Sequence, residues 1–350
     1  MNTTAITVLM PVYNGETHLC EAIESVIGQT FGDFEFLIIN DGSSDNSEDI
    51  IRKYKDPRIR LINNEKNLKL IQTLNKGIAI SRGKYIARMD CDDICMPRRL
   101  EKQYNLMEAI KDIGVCGTFL ETMGKKINSV WKFPVNSSEI KAHLFFNSVI
   151  AHPTVMIRKD ILVDNNICYN SNFIHCEDYE LWLNLSNYTN FYNIDEVLYR
   201  YRLHQNQITF KYKDEKNRVK LNLNFSQLKK MCIDYSAEEA YIHQAVCCMN
   251  FPKLEEFLKK VENWLMKLKK RNDEVSFFNK IIFSKILAIK WFQVCYKTSI
   301  LGSKVLDIYY NSQLSLFNEL SFFEKIIFFM ACKIKLNNDF IEMLKEKNRF

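Results

Sequence analysis

Three hundred and fifty residues, 47% hydrophobic and 13% aromatic, suffice for one to three domains with sizeable cores. Ten glycines, six prolines and a 26% charged fraction exclude a collagen-like, low-complexity or largely disordered chain. The net charge is +6, yet residues 1–210 hold 23 Lys+Arg against 26 Asp+Glu and residues 211–350 hold the other 25 against 16, so a balance of −3 is followed by one of +9.

Residues 6–10 read as a strand. Residues 15–30 read as a helix with Leu19, Ala22, Ile23, Val26 and Ile27 at helical spacing. The unbroken apolar run 34–39 predicts a strand buried on both faces. A helix over 45–54, capped by Ser43, Ser44 or Asp45, leads to a short strand at 59–62. A helix over 68–80 stops at Gly83, a strand follows at 84–89, and a helix over 97–110 opens with Pro97 in its first turn. This βαβαβαβα order predicts an α/β fold, a mostly parallel sheet with helices on both faces. Ligands on such sheets bind at the carboxyl ends of the strands. Residues 113–210 are less regular, with strands at 113–120 and 197–203 and a helix at 176–186.

From 211 onward the pattern is helical, which divides the chain into a domain 1–210 and a mainly α-helical domain 211–350. Over 253–271 the residues Leu254, Phe257, Leu258, Val261, Trp264, Leu265 and Leu268 form an apolar stripe. Two readings compete: a closed bundle with a solvated basic face, or a dock for an anionic membrane surface. Phe322-Phe323 and Phe328-Phe329, flanked by Lys325, Lys333 and Lys335, extend the second reading. An oligomerisation role is a third, and no accompanying motif supports nucleic-acid binding. No run reaches the roughly 18 apolar residues of a spanning helix. The nearest, 277–292, contains Lys280, Lys285 and Lys290. No basic n-region opens the chain, so export is not expected. Eleven cysteines then fit a reducing cytosol. Cys91 and Cys95 with His175 and Cys176 lack zinc-knuckle spacing and read as incidental thiols.

Five clusters carry chemistry. Pro11-Val12-Tyr13-Asn14 follows the first strand, where a Tyr ring can lie against a flat base or pack into the core. Asn40-Asp41-Gly42-Ser43 follows the second strand. Its carboxylate can accept the imide N–H of uracil, and the same residues also suit a plain turn with a helix cap. Asp90, Asp92 and Asp93 crowd three carboxylates into four residues after the strand 84–89. Their mutual repulsion calls for a compensating cation, and hard oxygen ligands suit Mg2+ or Mn2+ bridging a diphosphate. Glu177-Asp178 lies at a helix start, where acids also complement the dipole. Tyr199-Arg200-Tyr201-Arg202-Leu203-His204 is a basic strand ending in a histidine, either a solvated face or a ligand beside phosphate-binding arginines.

Together these motifs, with Gly83-Lys84-Tyr85-Ile86-Ala87-Arg88-Met89 leading into the acidic turn and Glu177-Asp178-Tyr179-Glu180-Leu181-Trp182, resemble glycosyltransferase family 2 over about residues 5–210. His152-Pro153-Thr154-Val155-Met156 is similar to the family's segment before the acceptor-side loop. The resemblance implies the Rossmann-like GT-A fold and site roles. Pro11, Tyr13, Asn14 and Asp41 would hold the uridine, with Arg88 and Asp90 also on the nucleotide-sugar. Asp92 and His204 would face the metal. Asp178 would be the general base, with Glu177 and His152 on the acceptor side. Lys69 stands where the family's Asn-Leu-Gly-Leu run has glycine.

The implied enzyme is a metal-dependent, inverting hexosyl- or N-acetylhexosaminyl-transferase. It would move a sugar from a UDP-sugar to a glycan or lipid-linked acceptor in surface-polysaccharide synthesis. The thiols and the missing export signal predict a cytoplasmic protein, and the basic helical half predicts a peripheral position on the inner face of the membrane. Two alternatives remain at this level. A sugar nucleotidyltransferase would need a basic Gly-rich loop after the first strand, and an inactive nucleotide-sugar-binding module would not need Asp178.

Overall fold

The computed structural model describes residues 4–124, 128–203 and 213–335. β1 (Ile6–Val12) and β2 (Phe34–Asn40) are buried at every position, as continuous apolar runs require of strands covered on both faces. Between them α1 (Leu19–Ile27) buries Leu19, Ala22, Ile23 and Val26. α2 (Ser47–Lys53), β3 (Ile59–Asn63), α3 (Leu70–Ile80), β4 (Tyr85–Arg88), β5 (Ile94–Cys95) and α4 (Arg99–Ala109) continue the alternation. Then come β6 (Ile113–Met123), β7 (Val130–Trp131), α5 (Ser137–His143), β8 (Met156–Arg158), α6 (Lys159–Asp164), α7 (Glu177–Leu185) and β9 (Asn190–Arg202).

These strands form one sheet in the order β3-β2-β1-β4-β8-β6-β9-β5, with β7 on β6. The run β3-β2-β1-β4 is parallel. β8 is antiparallel to both β4 and β6, so the sheet becomes mixed beyond β4, whereas the alternation in sequence points to parallel strands. β8 has three residues, too few to show a period. β9 begins seven residues before the strand expected at 197–203, because its first half, Asn190-Phe191-Tyr192-Asn193-Ile194-Asp195, is rich in Asn and Asp. The parallel register pairs Val12 with Asn40 and Leu9 with Arg88. The carboxyl ends of β1, β2 and β4 therefore share one edge.

α8 (Lys213–Lys230), α9 (Ala237–Cys248), α10 (Glu255–Val275), α11 (Lys280–Lys297), α12 (Lys304–Asn311) and α13 (Phe322–Ile334) build the rest. Ser236 with Glu239 and Ser321 with Glu324 make capping boxes at α9 and α13. Asn279 caps α11. Two units result: residues up to 140 with 148–219, and residues 141–147 with the chain from 220 onward. The division runs within α8, and the boundary expected at 210 lies outside the described residues. The short segment 141–147 joins the helical unit because Phe145 and Phe146 are buried in its core, and Asn224 Nδ2 donates to both of their carbonyls.

Phe257, Leu258, Val261, Trp264, Leu265 and Leu268 of α10 also lie in that core. The stripe over 253–271 is thus a packing face, and the reading of it as a membrane dock is corrected. Only Leu254, the residue before the helix, is exposed. Among the described residues no helix is long and apolar enough to cross a membrane.

Candidate active site

The first wall is the paired exits of β1 and β2. Pro11 is buried inside β1, while Tyr13 just beyond it is 51% exposed, so its ring is not a core group. Asn14 stitches the two exits together. Its backbone N–H donates to Ser43 Oγ at 3.0 Å, and its Oδ1 accepts from the Ser44 N–H at 2.8 Å. Asp41 is buried. Its Oδ1 accepts from Asn64 Nδ2 at 2.7 Å and from the Leu68 N–H at 2.9 Å. Gly42 has φ +70°, and a Cβ there would stand 2.8 Å from the Lys66 carbonyl carbon, so no other residue fits this turn without movement. Lys69 holds φ +73° and ψ 159° with a full side chain.

The second wall is the acidic turn after β4. Arg88 is buried and makes a bidentate pair with Asp90, Nη1 to Oδ2 and Nη2 to Oδ1 both at 2.5 Å. Its Nε is buried without a hydrogen-bond partner. Burial pushes the Asp90 carboxyl up, Asp92 adds to this, and Arg88 opposes it. Asp93 is fully buried. Its Oδ1 accepts from the Arg202 N–H at 2.8 Å, and its Oδ2 has no hydrogen-bond partner. Burial, then Asp90 and Asp92, drive its carboxyl well above the ordinary range. Arg202 ends β9 and clamps the turn, donating from Nε to the Asp92 carbonyl at 2.8 Å and from Nη2 to Glu21 at 2.7 Å. Tyr199 Oη accepts from the Asp90 N–H at 3.2 Å.

Oxygens of Asp90, Asp92 and Asp93 lie within 4.8 Å of one another, and among the described residues no other group of three His, Cys, Asp or Glu side chains converges so closely. Three hard oxygen donors, one of them carrying an orphaned buried atom, fit a Mg2+ or Mn2+ ion.

The third wall is the start of α7. Burial first, and Asp178 second, push the Glu177 carboxyl up to about 7. Burial also raises Asp178, against the opposing pull of Lys216 and then Arg88. Asp178 Oδ1 accepts the Tyr179 N–H at 2.7 Å. The charge of Arg88 is felt at Asp90, Glu177, Asp178, His152 and Tyr169, which places the ends of β4 and α7 around one guanidinium. His152 is buried, with Nε2 2.7 Å from Tyr169 Oη and its ring edge-on to Trp182. Burial, then Arg88, holds it well below its usual pKa, so it is neutral. His204 lies outside the described residues.

Sequence reasoning did not single out Tyr169 or Lys216, because they reach the site through space and belong to no motif, and Tyr199 stood within a quoted motif without an assigned role. Arg202 stood within a quoted motif without an assigned role, and Asp93 was read only as one of the crowded carboxylates.

The glycosyl transferase family 2 model matches residues 7–165. An uncharacterised glycosyltransferase of Haemophilus influenzae is 32% identical over 228 residues, covering 62% of this chain and 71% of the relative. The chain belongs to glycosyltransferase family 2. This family 2 glycosyltransferase is also 29% identical over 211 residues to the Escherichia coli UDP-Glc:alpha-D-GlcNAc-diphosphoundecaprenol beta-1,3-glucosyltransferase WfgD, covering 60% of the chain and 81% of WfgD. Its fold is that of S. aureus TarS 1–349, solved in complex with UDP-GlcNAc. The TM-score is 0.56 at 17% identity, over 89% of this chain and 91% of TarS. The glycosyltransferase thus carries the GT-A architecture with a helical C-terminal unit.

Proposed function

We propose that this glycosyltransferase moves a hexosyl or N-acetylhexosaminyl group, with inversion, from a UDP-sugar to a hydroxyl of a glycan or lipid-linked acceptor in surface-polysaccharide synthesis. The observation that carries the proposal is the convergence on Arg88 of the acidic turn after β4 and the Glu177-Asp178 pair. WfgD, whose name gives a UDP-sugar donor and a diphospholipid-linked acceptor, supports the donor and acceptor classes.

In this reading the exposed Tyr13 ring stacks on uracil and Asp41 accepts its imide N–H. Asn14 fixes the loop that carries Tyr13. Arg88 spends both Nη groups on Asp90 and so sets that carboxylate for the ribose and sugar. Asp90, Asp92 and Asp93 are the residues that would hold a Mg2+ or Mn2+ ion, which offsets charge on a departing diphosphate when bound. Glu177, raised to about 7, carries a proton near neutrality and leaves Asp178 as the ionised member of the pair. Asp178 takes the acceptor hydroxyl proton as its oxygen forms the new bond to the anomeric carbon and the bond to UDP breaks. One displacement inverts the centre. His152 positions Tyr169, and His204 remains a proposed metal contact. A lipid-linked acceptor would place the enzyme at the cytoplasmic face of the membrane, peripheral to it.

The test is UDP release by the purified protein over a panel of UDP-sugars with a synthetic lipid-diphosphate-sugar acceptor, with and without Mn2+. Release with one or more UDP-sugars, dependent on acceptor and metal, is expected. Turnover with a non-uridine donor alone would overturn the donor assignment.

A further inference from the structure

α13 packs one side into the helical core through Phe328, Ala331 and Cys332. An amphipathic helix then turns a polar side to water. This one does not. Phe322 is 80% exposed, and Phe323, Ile326, Phe329, Met330 and Ile334 are exposed with it. Phe322, Ile326, Phe329 and Met330, with Lys333, recur at three- and four-residue spacing, so they form a single outward stripe, and Phe323 and Ile334 flank it. The charges along that side are Lys325 and Lys333, with Lys335 at the C-terminal cap. Lys333 Nζ lies 5.5 Å over the Phe329 ring. The helix's single acid, Glu324, is tied into the capping box, accepting from the Ser321 N–H at 2.9 Å and from its hydroxyl at 2.7 Å.

Charge complementarity selects the occupant. A second copy of the same face would bring lysines against lysines. A negatively charged bilayer surface takes both components: the rings and aliphatic side chains enter the boundary between headgroups and acyl chains, and the lysines extend to the headgroup phosphates. Thirteen residues span about 20 Å, short of a roughly 30 Å hydrocarbon core, so the helix can only lie in the surface plane. We infer that the outward face of α13 docks this protein on an anionic phospholipid surface. The inference deepens the peripheral location proposed above and rests on it for its purpose, but on no step of sugar transfer.

The experiment is flotation of the full chain with vesicles of phosphatidylcholine plus phosphatidylglycerol and with phosphatidylcholine alone, alongside UDP release on a water-soluble acceptor. Expected is flotation with the anionic vesicles only, falling as salt rises. Phe322→Asp with Phe329→Asp should cut the bound fraction by about tenfold or more, and Lys325→Glu with Lys333→Glu should do the same. Both side-chain pairs are exposed, so soluble-acceptor turnover and circular dichroism should not change. Equal flotation of the parent and the double aspartate variant would overturn the inference. So would absence of flotation, or a concentration-dependent dimer that the same variant abolishes. Loss of soluble turnover in the parent would count against the enzymatic reading and leave the dock standing.

Discussion

The two units set their buried titratable groups in different surroundings. At the sheet's edge, burial pushes the carboxyls of Asp90, Asp93, Glu177 and Asp178 up. In the helical unit burial pushes bases down: His143 to about 4, His243 to about 3 and Lys290 to about 8. The surroundings separate the two cases. Asp90, Glu177 and Asp178 all feel the charge of the Arg88 guanidinium, and Asp93 is buried against the like charges of Asp90 and Asp92. His243 is enclosed by aromatic rings, Phe145, Phe146, Phe225 and Trp264, and its Nδ1 accepts from Trp264 Nε1 at 3.3 Å. Lys290 Nζ lies over the Phe146 ring at 5.6 Å. A perturbed pKa alone therefore does not mark a functional site. Convergent groups with unmet valence do, and a neutral polar group absorbed by packing does not.

The largest expected effect lies at Asp92. Asp92→Ala should abolish UDP release while circular dichroism stays unchanged, since the residue adds like charge to the turn and is not a core group. Full turnover in the variant would reduce the acidic turn to a structural loop. Asp178→Asn should lower kcat by roughly 10²-fold or more, the scale of general base catalysis. UDP affinity by calorimetry should hold, because the proposed base faces the acceptor. If UDP binding disappears together with turnover, the pair at the start of α7 is structural and the contrast with the helical unit weakens.

How much of this was legible follows from what each feature depends on. β1, β2 and α1 announce themselves by unbroken or periodic apolar residues, and the acidic turn by local crowding. Such features need only neighbours in sequence. β8 was not legible, because three residues carry no period, and Arg88 could be placed near the nucleotide-sugar but not at the centre of the site. That role depends on α7 arriving beside β4. Nor could composition assign 141–147 to the helical unit, since the choice rests on where Phe145 and Phe146 find a core. The stripe of α10 was readable as a stripe, while its partner was not. Only packing decides between a core and a lipid surface.

Acid titration separates the two units in stability. His243 has a folded pKa of about 3 against an ordinary 6.5, so between those values the unfolded chain binds more protons than the folded one. Its contribution is fully present above pH 6.5 and is lost as pH falls toward 3. His143, lowered to about 4, acts in the same sense. His243 alone should cost the helical unit on the order of 2–3 kcal/mol between pH 7 and pH 4.5, and His143 adds to that loss. Hydrogen exchange of peptides from α9 and α10 reads that loss locally. The buried acids of the sheet unit work in the opposite direction, since a carboxyl with a raised folded pKa costs stability as pH rises through the window. His243→Leu should flatten the slope in α9 and α10 even where it lowers stability at neutral pH. Equal slopes in parent and variant would remove His243 as the source.

The smallest effect belongs to Lys69, at the entry to α3. Its φ of +73° with ψ 159° lies in a region that is essentially reserved for glycine, and a residue with a Cβ held there costs about 1–3 kcal/mol. The conformation is over-determined locally. The Lys69 N–H donates to Asn67 Oδ1 at 2.9 Å, and the preceding Leu68 N–H is committed to Asp41. Lys69→Gly should relieve the strain, offset in part by the greater freedom of glycine in the unfolded chain, for a net gain of about 1 kcal/mol in urea denaturation. Lys69→Ala keeps the Cβ and removes the ammonium group, so it should bring no such gain. That pair of variants separates backbone strain from the charge of an exposed lysine. A gain shared equally by both would assign the effect to charge, and would mean that this turn beside Asp41 is not held under strain.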